Sequence, residues 1–221
     1  MRADLNRSAR LIHMVISKIE RQKKNRSRFS IFIDEKYAFS VGEDTYARFV
    51  LHTGQELTPA ERDEIENVEL ESSVKKTALR YRSYRPRSTN EVREYLKKKG
   101  YDEQNIERAL GYLKENNLLN DKEFARMVCR DRLVLKPVGI ATMRKLLLKK
   151  GIERTTVDEV VQDLYPEDKE STLALREAER KYKRIASLPP LAKKKKIYEH
   201  LLRRGYESSL SLKIANQMVK S

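Results

Sequence analysis

One pattern occurs three times between about Ser72 and Ser221, and it limits the fold more than any single residue does. The marker is Leu96-Lys97-Lys98-Lys99-Gly100-Tyr101, then Leu147-Leu148-Lys149-Lys150-Gly151-Ile152, then Leu201-Leu202-Arg203-Arg204-Gly205-Tyr206. Its glycines lie 51 and 54 residues apart. Counted from each glycine, apolar residues return eight before (Val92, Met143, Ile197) and four before (Leu96, Leu147, Leu201). They return again nine after (Ala109, Val160, Ile214) and thirteen after (Leu113, Leu164, Met218). A period near 50 is a unit of two or three helices, stacked so that each covers its neighbour's apolar face. Such a plan suits a binding surface better than a single catalytic centre.

Each marker reads as the end of one helix and the start of another. Lysine and arginine in a last turn favour the partial negative charge there, and glycine just beyond takes the left-handed conformation that stops a helix. The apolar or aromatic residue after it folds back onto the finished helix. This local role accounts for the three glycines in full, but it leaves the charge unexplained.

The net charge of +15 is concentrated. Residues 75–100 carry ten Lys/Arg against Glu91 and Glu94, residues 126–154 nine against Asp131 and Glu153, and residues 176–204 eleven against three acids. The stretches between them, 101–125 and 155–170, come to −3 and −5. Positive charge thus follows the period of the glycines, and a stacked array would line it up as one basic stripe, the footprint of a polyanionic partner. The candidate contacts on that stripe are Arg85, Arg87, Arg93, Lys97, Lys98, Lys99, Arg144, Lys145, Lys149, Lys150, Lys193, Lys194, Arg203 and Arg204. An isolated lysine run is usually a solvated helix face; three in phase with acidic helices between them favour a functional surface. A membrane surface fits less well, since no helix pairs a basic face with an exposed face rich in Trp or Phe.

With 37% charged and 39% apolar residues, the core is modest and the surface large, as thin helical arrays require. Cys129 is the single cysteine, so no disulfide forms within the chain and a reducing cytoplasm fits. No stretch approaches the roughly 20 apolar residues of a membrane span. The apolar run from Leu11 to Ile16 is too short for a secretory signal and lacks a small-residue cleavage pattern, so a cytoplasmic location is expected.

Residues 1–13 are polar and expected to fray. Phe29, Ile31 and Ile33 alternate with Arg28, Ser30 and Phe32, and Tyr37-Ala38-Phe39-Ser40-Val41 follows the acidic turn Asp34-Glu35-Lys36, which together predict a hairpin. A third strand over 15–21 completes a small sheet. The connection from Arg21 to Arg28 has five positive charges in eight residues and is either a solvated turn or a second nucleic-acid contact. A short helix is expected from Glu43 to Leu51. Thr58-Pro59-Ala60-Glu61 opens an acidic helix reaching Glu71, with a hydroxyl cap, proline at the first position and glutamate three on. Helices are then expected near 73–84, 88–99 and 103–116, near 121–135, 140–150 and 154–165, and near 168–187, 191–204 and 208–219. Ser88 with Glu91, and Asn120 with Glu123, supply further helix starts. The fold class is mainly α: an N-terminal extension of β-hairpin and helices over 1–71, then three-helix repeats over 72–119, 120–166 and 167–221.

Nothing in the chain resembles an active site. His13, His52 and His200 lie far apart without metal-ligand spacing, so no metal site is expected. There is no phosphate loop, no dinucleotide fingerprint and no CxxC, and no cofactor is expected. Asp34-Glu35-Lys36 reads as a turn rather than a nuclease carboxylate–lysine set. Cys129 reads as a small core residue. Among the tyrosines of the first basic zone, Tyr95 and Tyr101 fall in core phase, whereas Tyr84, beside Arg85-Pro86-Arg87, is the surface candidate for stacking on bases.

The run Arg85-Pro86-Arg87-Ser88-Thr89-Asn90-Glu91-Val92 resembles the first repeat of the RecX family, regulators of the RecA recombinase. So do Leu118-Leu119-Asn120-Asp121-Lys122-Glu123-Phe124-Ala125 and Leu147-Leu148-Lys149-Lys150-Gly151-Ile152. The segments Phe29–Asp34 and Tyr37–Val41 look like the hairpin extension of some members, and the resemblance covers residues 15–219. It implies tandem three-helix repeats in an elongated, curved molecule without enzymatic activity. It also implies binding to the RecA–single-stranded DNA filament with suppression of ATP hydrolysis and strand exchange, and some members bind DNA directly. The expected partners are therefore the RecA filament with single-stranded and double-stranded DNA, and a monomer is expected. One departure is Pro137-Val138-Gly139-Ile140, where the family commonly has glycine-proline, so loop contacts over 136–140 are not carried over. The other reading is a stand-alone, sequence-independent DNA-binding protein of transcriptional or architectural type. A helix-turn-helix reader presents one distinct recognition helix, whereas repeated Lys/Arg-rich helices suit phosphate contact.

Overall fold

The computed structural model describes residues 14–220; the expected frayed start over 1–13, His13 included, lies outside them. Among the described residues the order is β1 (Met14–Arg21), β2 (Arg28–Ile33), β3 (Lys36–Gly42), α1 (Glu43–Arg48), β4 (Glu56–Leu57) and α2 (Pro59–Ser83). There follow α3 (Thr89–Lys98), α4 (Glu103–Glu115), α5 (Asp121–Leu135), α6 (Ile140–Lys149) and α7 (Arg154–Leu164). The chain closes with α8 (Glu167–Arg184), α9 (Pro190–Arg203) and α10 (Ser208–Lys220). The protein is mainly helical with a small N-terminal sheet. It gathers into two compact units, one of residues through Leu79 with Tyr101–Ala109, the other of Arg80–Gly100 with Leu110 onward.

In the first unit the alternation of β2 and β3 makes the expected hairpin. Asp34 and Glu35 both take positive φ, 48° and 64°, as a tight two-residue turn of the I′ kind requires. The sheet order is β3-β2-β1-β4, all antiparallel where paired. The two-residue β4 escapes sequence reading because it is too short to alternate, and only its backbone pairing with Met14 and Val15 defines it. Ile16, Ile31, Ile33, Phe39 and Val41 point inward and form the core with Leu51, Leu57 and Ile65.

The capping box at Thr58 forms as expected: Glu61 N donates to Thr58 Oγ1 (3.2 Å) and Thr58 N to Glu61 Oε2 (2.7 Å). The helix it opens does not stop near Glu71; it runs unbroken to Ser83, and the two helices expected over 58–84 are one. Ser72-Ser73 is a weak helix former but no breaker, and no glycine or proline lies between Ala60 and Ser83. Glu69 on α2 is buried and takes hydrogen bonds from Gly42 N (2.8 Å), Thr45 Oγ1 (2.7 Å) and Arg28 Nη1 (2.8 Å), which pins the helix to the end of β3.

In the second unit α5, α6 and α7 pack on one another, as do α8, α9 and α10. One continuous core, from Phe124 through Met143, Leu147 and Val160 to Ile197, Leu201 and Ile214, runs through both triplets. The periodic leucines Leu96, Leu147 and Leu201 are fully buried. Truncating any of them to Ala is expected to cost about 2–5 kcal/mol. Gly100, Gly151 and Gly205 each sit two residues past a helix end with φ of 86°, 74° and 85°.

Gly151 and Gly205 do more than end their helices, which corrects the purely local account for those two. Gly139 N donates to Arg204 O (2.9 Å) and Ala141 N to Gly205 O (3.2 Å), so the start of α6 rests on the end of α9. Ser88, at the start of α3, donates its hydroxyl to Lys150 O (2.7 Å) at the end of α6. At the α9–α6 joint orphan N–H groups thus satisfy orphan C=O groups, at the α6–α3 joint a serine hydroxyl satisfies one, and opposite helix-end charges meet at both. A Cβ on Gly139 would strike the Gly205 carbonyl, one on Gly205 would strike Thr142, and one on Gly151 would strike Asn90. Gly100 has open space around it, so only its conformation calls for glycine.

Candidate nucleic-acid interface

The cations of the three markers ride on the last turns of α3, α6 and α9, which the joints set end against end. What each does depends on the acids that the fold brings near it. Lys150 pairs with Glu91 (2.6 Å), and Arg85 grips the same carboxylate with both terminal nitrogens at 3.2 Å. Burial opposes ionisation of Glu91, but the hydrogen bonds from Arg85 and Lys150 win and hold its carboxyl below the ordinary glutamate value. Glu91 also closes the Ser88 capping box, so this cluster braces the joint between α6 and α3.

Arg204 is likewise turned inward. It bonds Glu177 Oε2 at 3.0 Å, and Glu177, 4% exposed on α8, also receives Arg180 at 3.0 Å. His200 stands 3.6 Å from the same carboxylate; burial lowers its pKa, and the attraction of Glu177 only partly offsets that. Arg144 pairs with Asp158 at 2.9 Å. Arg87 lies 4.0 Å above the Tyr81 ring, and Lys193 5.0 Å from that of Tyr182. Lys194 lines an apolar groove with Leu191, Tyr198 and Leu212.

The remaining candidates face solvent. Lys98, Lys145, Lys149 and Arg203 are exposed, and none forms an ion pair among the described residues. Lys97 is exposed and Arg93 half-buried on the same helix. Lys99 caps α3 with its Nζ 5.5 Å from the Tyr95 ring.

Two of the unpaired lysines meet at one place. A cleft of about 490 Å³ is lined by Tyr81, Tyr95 and Leu146, with Lys98 from α3 and Lys149 from α6 at its sides. Tyr81 and Tyr95 stack at 3.8 Å with 4° between the rings, so Arg87, Tyr81, Tyr95 and Lys99 form one ladder of cations and rings. The phase of Tyr95 predicts a core position; it is instead half-buried and forms a cleft wall. Tyr101 is a packing residue as expected, its hydroxyl between Ser73 Oγ (3.2 Å) and Thr77 Oγ1 (3.1 Å). Tyr84 is 72% exposed. Sequence reading misses Asn90 and Leu146 in the cleft, for it is the α6–α3 joint that brings them there. The lysines offer positive charge at the cleft's two sides, Glu91 and Glu94 line it as well, and no group of three or more potential metal ligands occurs among the described residues. Cys129 is buried, which pushes its thiol up to about 11, away from reactivity.

The comparisons with known proteins point one way. Residues 14–58 match a family model described as the regulatory protein RecX N-terminal domain. Residues 75–113 match the first three-helix domain of RecX, and residues 168–214 the third. The chain is 33% identical over 209 residues to the regulatory protein RecX of Listeria welshimeri, covering 93% of this chain and 77% of that one. It is 37% identical over 196 residues to that of Bacillus licheniformis, covering 86% and 72%. A crystal structure of a regulatory protein RecX superposes with a TM-score of 0.74 at 27% identity, covering 92% of this chain and 99% of the other. That of RecX from Lactobacillus salivarius gives 0.64 at 24% identity, covering 70% and 99%, a likeness of fold. No helix of the described residues is long and apolar enough to cross a membrane.

Proposed function

Because the chain belongs to the RecX family of regulatory proteins, we propose that it is a non-enzymatic regulator that binds the RecA–single-stranded DNA filament and lowers its ATP hydrolysis and strand exchange. The observation that carries this reading is the column of second helices: α9 abuts α6 and α6 abuts α3, so cations recur along connected structure. Lys98, Lys145, Lys149 and Arg203 are exposed cations there with no ion pair among the described residues, and they are the contacts we assign to nucleic acid, with Lys97 and Lys99 beside them. Arg85, Arg144, Lys150 and Arg204 are given a bracing role by their carboxylate partners. Lysine on exposed helix turns suits phosphate rather than base edges, so binding is independent of sequence. Several contacts made at once to one filament raise the effective concentration of each later contact, so the filament is held more tightly than bare DNA.

The test is a charge reversal of Lys98 and Lys149 together, read as binding to RecA filament and to bare single strands across salt. The double variant is expected to keep its fold, since neither lysine forms an ion pair among the described residues. It binds both more weakly, and its dependence on salt is flatter by about 0.7 in log–log slope for each phosphate of a single strand that is no longer neutralised. Unchanged affinity and slope would remove these lysines from the interface.

A further inference from the structure

We propose that the outer face of the N-terminal sheet is a separate binding surface for a short run of single-stranded nucleic acid, independent of the helical repeats. The registers of β1, β2 and β3 place Lys18, Phe32 and Tyr37 side by side in one row across the sheet. The inward residues Ile16, Ile31, Ile33, Phe39 and Val41 fill the core, while Phe32 and Tyr37 belong neither to that core nor to the apolar residues packed around it. A sheet with one face on its core is ordinarily polar on the other. Here the open face carries two aromatic rings at 6.0 Å and 81°, with Tyr37 60% exposed and Lys18 Nζ 5.8 Å from the Phe32 ring.

The same face leads to the basic turn between β1 and β2. Lys23, Lys24 and Arg26 are exposed there and have no ion-pair partner among the described residues. The turn is ordered by its own bonds: Asn25 Oδ1 accepts from Ser27 Oγ (2.7 Å), Arg28 N donates to Asn25 O (3.0 Å) and Gln22 N to Arg28 O (2.9 Å). The acids along the way are already engaged, Glu20 with Lys18 (2.5 Å) and Glu43 with Arg21 (3.2 Å). Beyond the aromatic row stands the acidic turn of Asp34 and Glu35, which ends the track on that side.

An exposed tyrosine ring beside a half-buried phenylalanine, and cations a few residues away, are what an unpaired strand needs: bases to stack and phosphates to neutralise. From Phe32 to Arg28 the strand rises about 13 Å, room for a few nucleotides. A duplex keeps its bases stacked inside and gains nothing from the rings. The sheet thus takes single strands in preference to duplex, with Phe32 and Tyr37 stacking bases and Lys23, Lys24 and Arg26 holding phosphates.

Photo-crosslinking of the intact chain to oligothymidylate carrying 5-iodouracil tests this, with oligouridylate carrying the same base as a second arm. Adducts at Phe32 or Tyr37 are expected, and they should disappear in the Phe32→Ala/Tyr37→Ala variant. Lys23→Glu/Lys24→Glu/Arg26→Glu should reduce the yield several-fold with the circular dichroism unchanged. Crosslinking of DNA alone, or of RNA alone, identifies which strand the surface serves. Adducts confined to residues 80–220, or yields untouched by both variants, would overturn the proposal. Neither result bears on ATP hydrolysis by RecA, so this surface and the filament reading fail separately.

Discussion

Gly139 and Gly100 need glycine for opposite reasons, and the contrast separates space from conformation. Gly139 has an ordinary φ of −71°, but a methyl there would run into the backbone at Gly205 and Tyr206, which cannot yield as a side chain can. Gly100 has room on every side but a φ of 86°. Gly100→Ala is therefore expected to cost about 1–2 kcal/mol of unfolding free energy, the penalty for an L-residue in the left-handed region. Gly139→Ala should cost more than Gly100→Ala, and Gly205→Ala, which combines strain with a clash on Thr142, should cost more than either. Urea unfolding of the single variants ranks them. A Gly139→Ala protein as stable as the parent would mean that α6 does not rest on α9. Arg204 makes the matching case in charge: Arg204→Ala leaves buried Glu177 without one of its partners and should cost about 3 kcal/mol. Lys149→Ala should change stability by less than about 0.5 kcal/mol.

At the scale of elements, the packing of α8 against α9 carries a pH dependence. His200 on α9 is held below its usual pKa of 6.5, chiefly by burial, so the unfolded chain takes up this proton at a higher pH than the folded chain does. Stability from this source is complete above about pH 6.5 and declines as pH falls towards the folded value. The unfolding free energy of the parent is expected to drop between pH 7 and pH 5, and that of His200→Gln to drop less. An equal drop in both would place the titrating group elsewhere. Much at this scale is legible in the sequence, because it is local. The hairpin alternation, the caps at Thr58, Ser88 and Asn120, and the glycines after basic turns each declare themselves within a few residues. The joints do not: Ser88 and Lys150 lie 62 residues apart, and nothing near either names the other. The division of the basic residues is hidden for the same reason, since Arg204 and Lys149 look alike until Glu177, 27 residues before Arg204, is placed beside it. The continuity of α2 escapes because a change from acidic to basic composition resembles a boundary, whereas only a breaker makes one.

For the whole molecule, the family and the abutting helices support the proposed account, in which a regulator whose cations recur along those helices would meet a helical partner at several points. Multipoint contact predicts that removing α8–α10 by ending the chain at Pro166 weakens filament binding far more than it weakens binding to a short bare strand. The most direct measurement is ATP hydrolysis by RecA on single-stranded DNA while the intact chain is added from well below one molecule per recombinase subunit. The account predicts that hydrolysis falls at these low ratios, and that the Lys98→Glu/Lys149→Glu variant needs several-fold more protein for the same fall. Hydrolysis unchanged up to one molecule per subunit, with bare single strands bound as tightly as filament, would contradict it.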